Sequence, residues 1–99
     1  MFYVYILYSV KFDKYYVGHT DNLKNRLWSH NNTERNTFTS KYRPWEMVAG
    51  FEVNGNRADA AHVETQLKQM KSKIMLKRIA EGFYPEFIAQ LVRVPNYSL

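Results

Sequence analysis

The chain opens on a run, "FYVYILY", with apolar side chains on both alternating faces: Phe2, Val4 and Ile6 on one, Tyr3, Tyr5 and Leu7 on the other. A strand that is apolar on both sides belongs in the middle of a sheet covered on both faces. After the polar break "SVKFDK" comes a second strand, Tyr15 to Gly18, close enough for a hairpin with a longer loop. Thr20 or Asp21 offers a cap for a helix from Asn22 to about Asn31, which carries Leu23 and Leu27 one turn apart. The stretch "NNTERNTFTSKYRP" has no period and reads as a loop. Trp45, Met47, Ala49, Phe51 and Val53 then alternate with Glu46, Val48, Gly50 and Glu52, the pattern of a third strand with one apolar and one mixed face.

From Arg57 onward, Ala60, Val63, Leu67, Met70 and Ile74 recur at three-and-four spacing, which predicts a long amphipathic helix to about Lys71. A shorter helix from Lys73 to about Glu81 stops near Gly82. Pro85 suits the first turn of a last helix that reaches about Val92. The order β-β-α-β-α-α-α predicts an α+β fold, a three-stranded antiparallel sheet flanked by helices.

Composition narrows the class. At 99 residues, 45% apolar and 16% aromatic, residues 1–99 are expected to form a single domain with one core. The absence of cysteine excludes a disulfide framework and thiolate zinc ligation, and makes the cytoplasm the default compartment. The apolar opening has no basic leader and is roughly half the length a bilayer span needs. A formal charge of +5 favours polyanionic partners, and no basic amphipathic segment with a broad apolar face argues for a membrane.

Several residues carry candidate chemistry, each with a plainer alternative. Tyr5, Tyr15 and Tyr16 suit cross-strand packing, but a tyrosine hydroxyl at a cleft can position a water or take its proton. Arg26 and His30 lie i,i+4 at the edge of the Leu23 and Leu27 stripe, where they either meet a phosphate or remain a solvated arginine and a half-buried histidine. Glu64 borders the apolar stripe beside Ala60 and Ala61. It is either a ligand for a hard cation or the i,i+4 ion-pair partner of Lys68. Lys68, Lys71, Lys73, Lys77 and Arg78, with Lys41 and Arg43 interleaved among Phe38 and Tyr42, either follow a phosphate backbone or form solvated faces. No Walker loop, dinucleotide fingerprint or serine elbow occurs, and His19, His30 and His62 lack paired metal-ligand spacing.

Taken in order, "YVYIL", then "YYVGHT", then Arg26 and His30, then Glu64 in "AAHVETQLK" resemble the GIY-YIG nuclease superfamily. The likeness is to its small stand-alone bacterial members and to the N-terminal domain of the excinuclease of excision repair, and extends over nearly the whole chain. It implies a metal-dependent endonuclease that hydrolyses phosphodiester bonds in DNA, structure-selective with little sequence preference, in repair or recombination. Tyr5 corresponds to the tyrosine of the first motif, Tyr16 and Gly18 to the second, Arg26 to the catalytic arginine, His30 to its frequent partner and Glu64 to the metal ligand. The implied cofactor is one Mg²⁺ or Mn²⁺ ion on Glu64. Tyr5, with Tyr16 nearby, would orient or deprotonate water, Arg26 would offset phosphoryl charge, and Gly18 would leave backbone room beside the phosphate.

The expected nucleic-acid contacts are Lys41, Arg43, Lys68 and Lys71. The expected partner is DNA, with RNA left open, no membrane is implied, and the expected state is a monomer or weak homodimer. Tyr3 and Val4 stand in place of the first motif's glycine and isoleucine, and Val17 in place of the second isoleucine. No counterpart follows Glu64 for the asparagine that many nucleases of the superfamily carry. That departure keeps a second reading open, a weak or inactive domain that binds nucleic acid on the same fold.

Overall fold

A computed structural model describes residues 1–34 and 37–95. Its elements are β1 (Phe2–Ser9), β2 (Lys14–Thr20), α1 (Leu23–Asn32), α2 (Phe38–Lys41), β3 (Glu46–Val53), α3 (Arg57–Gln69), α4 (Lys73–Ala80), α5 (Glu86–Ala89) and β4 (Val92–Arg93). The sheet is antiparallel in the order β2-β1-β3-β4, so the doubly apolar strand is internal, as its pattern requires.

The two faces of β1 bury different sets. Val4 and Ile6 join Val17, Ala49, Phe51 and Val53 beneath Ala60, Val63 and Leu67 of α3, with Ile79 of α4 and Ile88 of α5. Tyr5 and Leu7 pack on the other face with Leu23 of α1, Trp45 and Met47. Each large apolar side chain fully withdrawn from water there contributes ~1.5–3 kcal/mol.

Four expectations need correction. The sheet has a fourth strand, because the last helix ends at Ala89 and Val92–Arg93 pairs with β3 instead of continuing it. The third strand does not keep one apolar face. Between Ile6↔Ala49 and Leu7↔Met47 the register slips past Val48, a bulge that turns Trp45 and Met47 to the α1 side while Ala49, Phe51 and Val53 face α3. The carbonyl of Val48 accepts from Arg93 Nη2 at 2.9 Å, which ties the short fourth strand to the bulge. The expected loop contains the one-turn helix α2, and its residues 35 and 36 lie outside the described residues. Finally, Asn22 caps α1 by accepting from the Asn25 amide at 3.0 Å, and Thr20 braces that cap by accepting from the Asn22 amide.

Candidate active site

Register places the first pair of site residues. Tyr5 and Gly18 are direct partners across β1 and β2, so both point to the α1 face. A Cβ on Gly18 would fall on the Tyr5 hydroxyl and 2.6 Å from its Cζ. The glycine therefore lets the Tyr5 ring cross β2, and the room expected there beside a phosphate is filled by that ring. Gly18→Ala is expected to cost about 1–3 kcal/mol through overpacking. In a background of Tyr5→Ala the same change should cost much less, because its obstacle is gone. Thermal unfolding of the two single variants and the double variant measures this, and additive losses would refute the contact.

Beyond Gly18, the Tyr5 hydroxyl lies 2.8 Å from His30 Nε2. His30 Nδ1 lies 2.9 Å from Thr39 Oγ1, which is 3.2 Å from Thr37 Oγ1. Trp45 Nε1 donates to the Thr39 carbonyl at 2.7 Å, so the residue that leads into β3 anchors α2. Burial, then the neighbouring phenol of Tyr16, pushes the Tyr5 hydroxyl far above its ordinary value, against the opposing pull of Arg26. Tyr5 keeps its proton at neutral pH.

His30 is held neutral. Burial, then the charges of Arg26 and Arg43, pull its pKa down to about 4 from 6.5. The unfolded chain thus takes up this proton first as pH falls. The contribution to stability is whole above about pH 6.5 and is lost progressively toward pH 4, by on the order of 3 kcal/mol. Denaturant titrations across that window should show a steeper fall for wild type than for His30→Gln. Parallel curves would assign the acid loss to other groups.

Arg26, one helical turn before His30, borders a cleft of about 460 Å³ with Tyr16, Ser29, His30, Phe38 and Thr39. Among the described residues its exposed guanidinium makes no hydrogen bond or ion pair. Arg43 is placed otherwise. Its Nε donates to the His30 carbonyl at 2.6 Å and its Nη2 to the Thr33 carbonyl at 2.5 Å. These contacts satisfy carbonyls at the C-terminal end of α1, where a cation complements the helix dipole. Arg43 thus braces the end of α1, a role its sequence position did not suggest.

Glu64 approaches from the opposite layer. It lies on α3, and its Oε1 is 2.7 Å from His19 Nδ1 while its Oε2 is 2.7 Å from Lys68 Nζ. Burial pushes this carboxyl up, but hydrogen bonds from Lys68 and His19 outweigh it and hold the group below its ordinary value. The ion pair with Lys68 therefore forms. It does not decide between the two sequence readings, because an ionised, half-buried carboxylate is also what a hard cation needs. His19 was missed. It shares the α3 side of β2 with Val17, two residues before it, and only the packing of α3 on that strand brings it to Glu64.

The two halves meet at the sheet edge. Since β2 is an edge strand, Lys68 reaches round it, and its Nζ lies 5.7 Å from the centre of the Tyr16 ring. Lys68 and Lys71 border a second groove, of about 390 Å³, which shares Tyr16 and Phe38 with the first. Lys41 is exposed at the end of α2. No group of three or more His, Cys, Asp or Glu side chains that could hold a metal occurs among the described residues. The donor set fits a cation that takes one protein carboxylate and draws its remaining ligands from water and phosphate, as Mg²⁺ does. Among the described residues no helix is long and apolar enough to cross a membrane.

Against known proteins, the family model of the GIY-YIG catalytic domain matches residues 1–78, a span that includes every residue of the cleft. No curated protein and no solved structure gives a significant match.

Proposed function

The chain belongs to the GIY-YIG catalytic domain family, and from that membership we propose that it is a divalent-metal-dependent DNA endonuclease. The observation that carries this reading is the Arg26 guanidinium, unpartnered among the described residues, in one cleft with Tyr16 and backed by the Tyr5–His30 pair. An exposed cation with no partner among the described residues, lining a cleft with tyrosine and histidine, suits a phosphodiester oxygen.

In the proposed reaction, water attacks phosphorus and one P–O ester bond breaks, leaving a phosphate monoester and an alcohol. Tyr16 lines the cleft and positions the water through its hydroxyl. Tyr5 keeps its proton, so of the two roles expected of it, orienting or deprotonating the water, the second falls away and it acts by holding His30. His30, neutral and fixed by Thr39, assists through its hydrogen bond to the Tyr5 hydroxyl. Arg26 offsets charge that grows on the phosphoryl oxygens. Glu64 would hold one Mg²⁺ or Mn²⁺ ion, which when bound supplies positive charge to the scissile phosphate. We place the activity in repair or recombination, in the cytoplasm, with a monomer or weak homodimer acting on branched or unpaired DNA.

One observation favours the second reading, a binding module without catalysis: both Glu64 oxygens are already engaged, one by Lys68 and one by His19. Incubation with branched, single-stranded and duplex DNA, with Mg²⁺ and with EDTA, separates the two. Cleavage only with the metal supports the enzyme, and binding without cleavage supports the module. In either case affinity should fall steeply with salt. If Lys41, Lys68 and Lys71 each neutralise a phosphate, log K against log salt should slope at about −2.7 on duplex and about −2 on single strands. A flat response would remove the electrostatic contacts.

A further inference from the structure

Beside the cleft the surface carries aromatic rings that the core does not require. Phe38 on α2 and Phe12 in the β1–β2 loop are 48% and 40% exposed. Ring centres follow one another at 5.4 Å from Phe12 to Tyr42, 4.9 Å from Tyr42 to Phe38 and 6.2 Å from Phe38 to Tyr16. The last pair is close to parallel, 27° between planes. Leaving 48% and 40% of these two side chains in water forgoes nearly half of the ~1.5–3 kcal/mol that full burial of each would give.

Lysines flank this run. Lys14, Lys68, Lys71 and Lys73 line the groove next to Tyr16 and Phe38, with Lys14 Nζ 5.0 Å from the Tyr42 ring and Lys11 Nζ 5.4 Å from Phe12. The one acidic residue of the groove, Asp13, is neutralised by Lys73 at 3.0 Å and accepts from Tyr8. Because Tyr16 and Phe38 border both depressions, a chain lying in the groove leads directly to Arg26.

We propose that this groove is a binding track for single-stranded DNA, with bases stacked on Phe38 and Phe12 and the backbone on the lysines. The proposal rests on the nuclease reading and names the form of its substrate. Flat rings suit unpaired bases, whose faces are free, whereas a duplex hides those faces and leaves the lysines only its phosphates. Positive charge matches a polyanion, and the step from ring to ring matches a chain of bases better than a single ligand.

The test is fluorescence anisotropy in EDTA, where no cleavage occurs, with a labelled oligo-dT strand, an oligo-rU strand and a duplex of equal length. Wild type is compared with Phe12→Ala, Phe38→Ala, Phe38→Leu and Lys14→Ala/Lys71→Ala, each checked for folding by circular dichroism. Each phenylalanine replacement should weaken oligo-dT binding about tenfold while duplex affinity stays within about twofold. Phe38→Leu keeps an apolar side chain against Trp45 but loses the flat face, so it should weaken oligo-dT binding even if Phe38→Ala fails to fold. The double lysine variant should weaken strand and duplex alike.

Equal losses on strand and duplex, no loss on oligo-dT, or binding confined to oligo-rU would overturn the proposal. So would a phenylalanine effect seen with phosphatidylglycerol vesicles but not with oligo-dT. Failure of the nuclease reading gives a different pattern: no metal-dependent cleavage of any DNA, with the selective loss on oligo-dT intact.

Discussion

Arg26→Ala is expected to lower cleavage by about 10²–10³-fold, the range found on removing one donor that stabilises transition-state charge. Folding stability should stay within about 0.5 kcal/mol of wild type, because the exposed side chain has no partner among the described residues. Arg43→Ala should do the reverse. Its guanidinium satisfies two carbonyls at the end of α1, so its loss should cost roughly 1–3 kcal/mol while leaving the cleft's own cation in place. Arg26→Lys keeps the charge without the planar fork and should fall between alanine and wild type. Removing the Arg26 charge also removes one cause of the depressed His30 value, so an NMR titration of Arg26→Ala should find that histidine titrating at higher pH. Full cleavage by Arg26→Ala would take this residue out of the site, and loss of folding would make it structural.

The contrast between the two arginines shows what the sequence can and cannot reveal. Both are basic residues near aromatic ones, and charge patterning treats them alike. Only the return of the chain through α2 carries Arg43 back to the carbonyls of α1. Periodicity is informative where it reports burial over several residues. The two-sided pattern of β1 implied an internal strand, and the three-and-four spacing of Ala60, Val63 and Leu67 implied the face of α3 that covers it. It fails at Ile74, counted with that stripe but exposed on α4, and at Val48, since alternation carries no mark of an inserted residue. A two-residue β4 and a one-turn α2 are too short to have a period.

At the site, helical spacing placed Arg26 and His30 together on α1 and Glu64 at the border of the α3 stripe, but the ordered motifs, not spacing, singled out Gly18 and chose between the alternatives open for Tyr5 and Glu64. Why Gly18 must lack a side chain follows from the cross-strand register with Tyr5, which fixes what a Cβ would strike. The part played by His19 depends on how α3 lies across β2, a relation between segments 45 residues apart.

Glu64→Gln is expected to have the other large effect. The substitution keeps the length of the side chain and most of its helix propensity while removing the charge. Should Glu64 hold the metal, Mg²⁺-dependent cleavage falls by at least about 10²-fold while DNA binding persists or tightens. Stability should fall modestly, since the Lys68 side chain is half exposed and a pair of that kind is worth about 0.2–1 kcal/mol. Because the carboxyl is held below its ordinary value, its contribution is present above the unfolded pKa and disappears as pH falls through the folded one. Glu64→Gln should therefore flatten the acid limb of stability.

Lys68→Ala is the control that separates the readings. It releases Oε2 without touching the carboxylate, so if Glu64 is a ligand, Mn²⁺ binding measured by calorimetry should tighten even as DNA affinity drops. An ion pair with no further role predicts instead that both variants lose the same small stability, that Mn²⁺ binding is unchanged, and that cleavage is as fast as in wild type. Undiminished cleavage by Glu64→Gln would remove the metal assignment. Loss of cleavage with Mn²⁺ binding unaltered would place Glu64 among the residues that position Lys68 and Tyr16 at the edge of the cleft.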